Sequence, residues 1–274
     1  MKARMSLVYF LLVLGAGVFV IPFLWTVSTA LKTSQEIAKD PVHLIPAKPT
    51  LENFPGAWHA LPFTTFIGNT VFVTLLATLG TVLSAALVAY GFARFKFKGR
   101  NALFYTMLGT MMLPSQVTMI PVFLIWRQLH AIDTFIPLIL PAFFGGGPFN
   151  IFLLRQFFLT IPHELDEAML IDGASYPQIW WRLILPLSQP AIAAVVVFSF
   201  IGNWDNFEGP LIYLNSPENY TVAMGLRLFQ DSFGTNMGQL MSASLIQIVP
   251  TIVIFFLAQR YIIKGVAVSG MGGR

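Results

Sequence analysis

Residues 164–187 read ELDEAMLIDGASYPQIWWRLILPL, placing Glu164, Asp166, Glu167 and Asp172 within nine positions, ahead of Gly173 and the pair Trp180 and Trp181. Carboxylates this close could belong to a catalytic cluster at a membrane face, or they could offer negative charge to a basic partner. The catalytic use lacks its complement. His43, His59, His130 and His163 are scattered without metal-ligand spacing, and the chain has no cysteine, so disulfides, thiolate metal sites and a cysteine nucleophile are excluded. No catalytic residue and no metal ligand is expected. A second polar concentration, Asn203, Trp204, Asp205, Asn206 and Glu208, closes a long apolar run, and Asn69, Gln116 and Asn150 interrupt others. Groups of this kind bind polar solutes through hydrogen bonds and aromatic faces. They also join helices to one another or mark a helix end at the headgroups.

What must position these residues is a membrane protein. Of 274 residues 56% are hydrophobic and 10% charged, with 26 phenylalanines, against roughly 25% charge in a soluble domain. Asp, Glu, Lys and Arg are absent from 5–31, 53–93, 101–126, 134–154, 183–204 and 232–259. About 20 residues cross a bilayer, and a charge at its centre costs about 3 kcal/mol. The expected fold is therefore an all-α membrane protein with six transmembrane helices, at 7–31, 65–92, 102–126, 135–157, 188–210 and 237–260, forming one domain over 1–274. Pro114 and Pro121 should break the third helix and the GGGP run at 145–148 the fourth, which is tolerated where protein or a water-filled cavity meets the freed backbone groups.

With the N-terminus cytoplasmic, eleven of the sixteen basic residues fall on the inside and five on the outside. The positive-inside rule then puts both termini in the cytoplasm, so the net charge of +4 is a topology signal and no nucleic-acid partner is expected. The first apolar run extends to Leu31, too long for the core of a cleavable signal peptide, so it should remain as a helix.

On this map 160–186 is a cytoplasmic loop between helices four and five with helical signals of its own. Pro162 suits a first turn, Glu164, Asp166 and Glu167 suit the positive end of the helix dipole, and Gly173 suits a C-terminal cap. A second helix should start after Ser175, carry Pro177 in its first turn and end near Leu185, ahead of Pro186. Tyr176, Ile179, Trp180, Leu183 and Ile184 share an apolar face. Periodicity leaves two uses open: a connector lying in the headgroups, or a docking element for a soluble partner.

The segment resembles the cytoplasmic loop motif of ABC importer permeases, Glu-Ala-Ala, three residues, Gly, nine residues, then Ile-x-Leu-Pro. Here Glu167-Ala168-Met169 is followed after three residues by Gly173, and after nine more by Leu183, Ile184, Leu185 and Pro186. FNIFLLRQFFLTIPHELDEA before the motif, GPLIYLNSPENYT after helix five and QRYIIKGVAVSG near the end are similar to the carbohydrate branch, specifically its maltose-type second permease. The resemblance implies a pore half that pairs with a second homologous permease, two ATPase subunits on the cytoplasmic loops and an extracytoplasmic solute-binding protein, in the cytoplasmic membrane of a bacterium or archaeon. It assigns Glu164, Glu167, Ala168, Asp172, Gly173, Leu185 and Pro186 to ATPase coupling, Glu167 facing a basic residue of the ATPase. Asn69, Gln116, Asn150, Asn203, Trp204, Asp205, Asn206 and Glu208 are the substrate-path candidates. ATP and Mg²⁺ would be bound by the partner, since the chain has no phosphate-binding loop and no Gly-Lys dipeptide. The family's usual tail is Gly-Ala-Val-Lys-Gly and can reach the ATPase; this chain ends differently, KGVAVSGMGGR. The expected cargo is a sugar or oligosaccharide. A non-sugar solute such as a glycerol phosphate ester is the alternative, and an ion-coupled secondary transporter is disfavoured by spans without ionisable residues.

Overall fold

Lipid leaves long apolar stretches no stable form except structures that satisfy every backbone group internally. In a computed structural model describing residues 2–231 and 236–271, every regular element among the described residues is helical. In chain order these are α1 (Lys2–Ala30), α2 (Ser34–Lys39), α3 (Asn53–Ala60), α4 (Phe63–Arg94), α5 (Arg100–Gly109), α6 (Ser115–Gln128), α7 (Ile136–Ile139), α8 (Pro148–Phe158), α9 (His163–Ile171), α10 (Tyr176–Ile179), α11 (Leu185–Leu187), α12 (Gln189–Trp204), α13 (Glu208–Tyr213), α14 (Val222–Asp231) and α15 (Met237–Met271). Leu7–Ala30, Phe63–Arg94, Ile136–Phe158 and Met237–Gln259 are each long and apolar enough to cross a membrane. The crossings number six if each of two bent pairs, Arg100–Met112 with Ser115–Gln128 and Tyr176–Leu187 with Gln189–Trp204, is one span.

The breaks refine what the sequence predicts. The third span is not one helix over 102–126 but two, meeting at 99°. Leu113, with ψ 119, is extended as the residue before a proline prefers, and Pro114 caps the next helix. Pro121, the other expected breaker, lies inside α6 without ending it. The fourth span consists of α7, a tight turn at Leu140–Phe143, a left-handed glycine run at 145–147, and α8. The expected fifth helix at 188–210 stops at Trp204 and resumes at Glu208.

The chain divides into two compact units, one running to Phe66 and including Val222–Val249, the other comprising Ile67–Thr221 and the segment from Pro250. In the first unit, the fully buried Lys32 donates its ammonium to the carbonyls of His43 and Asp40. Asn53 ties the carbonyls of Ala30 and Lys32 at 2.8 and 2.7 Å. The second unit holds a buried apolar cluster, where Ala85, Ala86, Ala89 and Ala93 of α4 meet Ile151, Leu154 and Phe158 of α8. Small residues on α4 allow close approach where two helices have no hydrophobic drive of their own to associate. At the break, Ser84 Oγ donates to the Ala142 carbonyl at 2.7 Å, and a Cβ on Gly146 would come within 2.5 Å of the Thr81 carbonyl.

Candidate functional site

The 160–186 segment folds as a helix, a glycine bend and a second helix. Pro162 caps α9, and Glu164 and Asp166 occupy its first turn, where unpaired N–H groups favour negative charge. At its other end Gly173 N donates to Leu170 O at 3.0 Å and Ala174 N to Met169 O at 2.9 Å. This 6→1 and 5→2 pair needs a left-handed residue between them, and Gly173 has φ +81. Ser175 caps α10, its N–H donating to Gln178 Oε1 at 2.7 Å. The second helix ends at Leu187, two residues past the expected end near Leu185, before a bend of 82°. A wide turn over Trp180–Ile184 sends the Leu185 N–H five residues back to Trp180, and Pro186 enters the short helix that follows, in a first turn that needs no amide proton.

The module is two-sided. Ile161, Ile179 and Ile184 are buried in the α4–α8 cluster, whereas Glu164, Glu167, Ala168, Asp172, Gly173 and Pro186 are exposed and Leu185 is half-buried. Ile171, at 87% exposure, stands out at the bend between these carboxylates, an apolar group that water does not favour. Residues one apart on a helix point about 100° away from each other. Asp166 accordingly turns inward while Glu167 turns outward, and Asp166 Oδ2 lies 3.1 Å from Arg94 Nε with side-chain exposures of 13% and 3%. Arg94 also donates to the Ile161 carbonyl at 3.0 Å and approaches His163 Nδ1 at 3.4 Å. Burial pushes the Asp166 carboxyl above the ordinary carboxylate value, and Arg94, then His163, pull it back. Tyr90 OH reaches the Tyr176 carbonyl at 3.3 Å, and Phe95 packs edge-on against the Tyr176 ring at 5.1 Å.

The substrate-path candidates occupy separate elements. Asn69 spends its amide N–H groups on the carbonyls of Glu218 and Tyr220, at 2.8 and 3.0 Å. Gln116 is exposed in the first turn after the bend at Pro114. Asn150 donates to Gly146 O at the glycine run, with its own Oδ1 buried and unpartnered. Asn203, Trp204, Asp205, Asn206 and Glu208 surround the break between α12 and α13. Trp204 is buried and stacked on Phe200, Asn206 caps Gly209, Asn203 bonds back to Ser199, and Asp205 and Glu208 are exposed. Side chains from Arg260 onward, including the expected ATPase-facing tail, lie outside the described residues.

Three residues with structural leverage were not singled out by sequence pattern. Arg94 was legible only as a topology charge and Asp166 only as a dipole partner. Asp133, φ +61, receives the backbone N–H groups of Asn215 and Ser216 at 2.8 and 2.9 Å, the Ser216 hydroxyl and the Asn219 amide. Those donors, Ser216 foremost, hold its carboxyl far below the usual carboxylate range. The partners are more than 80 positions away, beyond the reach of any local signal.

Up to six apolar crossings, two of them bent, with a helix–glycine–helix module seated on the end of α4, describe a multi-pass membrane protein. Residues 81–268 match the family model for the binding-protein-dependent transport system inner membrane component, and the chain belongs to that family; it is a transporter subunit, not an enzyme. It is 33% identical, over 94% of its length and 93% of theirs, to the arabinooligosaccharides transport system permease protein AraQ of Halalkalibacterium halodurans. It is 30% identical, over 94% and 85%, to the diacetylchitobiose uptake system permease protein NgcG of Streptomyces coelicolor. Its fold is similar, at TM-score 0.81 and 23% identity over 95% and 96% of the two chains, to a chain of a bacterial ABC transporter involved in the import of the acidic polysaccharide alginate.

Proposed function

We propose that this chain forms half of the translocation path of an importer for a sugar or oligosaccharide and draws its energy from ATP bound, with Mg²⁺, by a partner ATPase dimer. The carrying observation is the two-sided module: Glu164, Glu167, Asp172 and Ile171 face outward while Ile179, Ile184 and Asp166 are held inside. A surface offering charge around an exposed apolar residue suits docking of a soluble, basic partner. The relatives' names, arabinooligosaccharides and diacetylchitobiose, support the cargo class. A second, homologous permease completes the path, and a solute-binding protein delivers cargo from outside. The permease lies in the cytoplasmic membrane with both termini inside, which rests on the eleven-to-five distribution of basic residues.

The test is reconstitution. Proteoliposomes carrying this chain alone should take up no arabinooligosaccharide, and those carrying the chain with its second permease, ATPase and binding protein should do so on addition of ATP. Equal flux from the isolated chain would overturn the reading.

A further inference from the structure

We propose that Arg94 and Asp166 are positioning residues for energy coupling: they latch the docking module to α4, which then acts as the rigid link between that module and the loop at 213–220. The proposal rests on the functional reading above. Most of what seats the module is apolar, through Ile161, Ile179 and Ile184, and such packing is non-directional, so it permits sliding. Among the described residues, the ion-pair, hydrogen-bond and ring contacts of the module with this helix end fall on residues 90–95, the last turn of α4 and the residue after it. Arg94 engages Asp166, the Ile161 carbonyl and His163, three points along the start of α9, while Tyr90 and Phe95 hold Tyr176 at the start of α10. Both halves of the module are thus fixed in register to the same helix end.

The far end of α4 is fixed in the same manner. Asn69 donates to the carbonyls of Glu218 and Tyr220, and Asp133 gathers Asn215, Ser216 and Asn219 of the same loop into one clasp. Asn69 and Arg94 are separated by a continuous helix of about 38 Å at 1.5 Å per residue. A displacement of the module is carried by a stiff element to a loop that is itself tied down, without an intervening flexible joint. The inward Asp166 serves this transmission and the outward Glu167 serves the partner, so the two neighbouring carboxylates have separable roles.

The test uses the assembled transporter with Arg94→Gln, Asp166→Asn and the double variant. Uptake, ATPase co-purification and ATP hydrolysis are measured per permease in the membrane. Each single variant leaves one charge buried without its partner and should lose uptake by about tenfold or more while still holding the ATPase. The double variant leaves no lone charge and should regain about a third of wild-type uptake or better, the non-additivity expected of contacting residues. Wild-type uptake in the single variants, a double variant no better than the singles, or loss of the ATPase from either single overturns the latch. If a single variant fails to reach the membrane, Tyr90→Phe probes the second helix without disturbing a charge. It should lower uptake about threefold, the worth of one hydrogen bond, and full uptake from it counts against the proposal. Failure of the functional reading looks different, since the wild-type complex itself would then show no ATP-dependent uptake.

Discussion

A Cβ built on Gly173 meets no heavy atom within 4 Å, yet the residue sits at φ +81. The demand for glycine is therefore conformational, and a β-branched residue there should cost about 1–2 kcal/mol, whereas asparagine, which tolerates the left-handed region, should be mild. We expect Gly173→Val to lose uptake and Gly173→Asn to retain most of it, both at normal membrane levels, measured by transport in cells. Gly146 adds a demand for space to its own φ of +64, because its Cβ would lie 2.6 Å from both the Ala85 Cβ and the Ala85 nitrogen. Gly146→Ala should destabilise the permease by about 2 kcal/mol, read as a lower melting temperature in detergent. At Asp133 the native carboxyl titrates far below the usual range. A depressed folded value contributes stability that is complete above the unfolded value, about 3.9, and is lost only as pH falls below it toward the folded one. Protection against hydrogen exchange in 213–220, taken relative to the intrinsic amide rate at each pH, should accordingly stay constant from about pH 8 to pH 4 and fall in Asp133→Asn, whose left-handed backbone asparagine can keep.

Among the elements, the two short helices of the module were largely readable from local chemistry. The early carboxylates, Gly173 and Ser175 each obey a rule that operates within one turn, and the structure places each where the rule does; Pro162, expected in the first turn, sits one position earlier as the cap of α9. Pro186 was misread as a stop because the widened Trp180–Ile184 turn ahead of it is a geometry without a sequence signature. The bends at Pro114 and at Ser188, between Leu187 and Gln189, have the same character: composition marks a crossing, but the angle is set by packing that sequence does not display. The Arg94–Asp166 pair and the Asp133 clasp join segments about seventy to eighty positions apart, and no periodicity reports such contacts. The substrate-path candidates were chosen by polarity alone, and their bonds are largely local, as for Asn150 and Asn203. Removing the Ser175 cap with Ser175→Ala should cost about 1 kcal/mol and loosen α10 against Tyr90, visible as faster hydrogen exchange at 176–179 with α9 unchanged.

Taken as a whole, the molecule joins an apolar body with no nucleotide-binding loop in its sequence to a charged module on its surface, and the proposed function assigns the energy for import to a partner ATPase. The proposed topology rests on the basic residues: with the chain free of native cysteine, cysteines at Asn215 and Lys98 exposed to an impermeant thiol reagent on intact cells should label only at 215. Labelling at Lys98 would invert the map and place the module on the wrong side for a cytoplasmic ATPase. The central claim is that the outward carboxylates of α9 couple this permease to that ATPase. Uptake by complexes carrying Glu167→Lys tests it most directly, since repulsion in place of a close charge pair can cost about 2–5 kcal/mol at an interface, enough to uncouple docking without touching a membrane span. Glu167→Lys complexes should insert normally and lose both uptake and substrate-stimulated ATP hydrolysis, whereas wild-type uptake at normal expression would show that these carboxylates do not dock the ATPase.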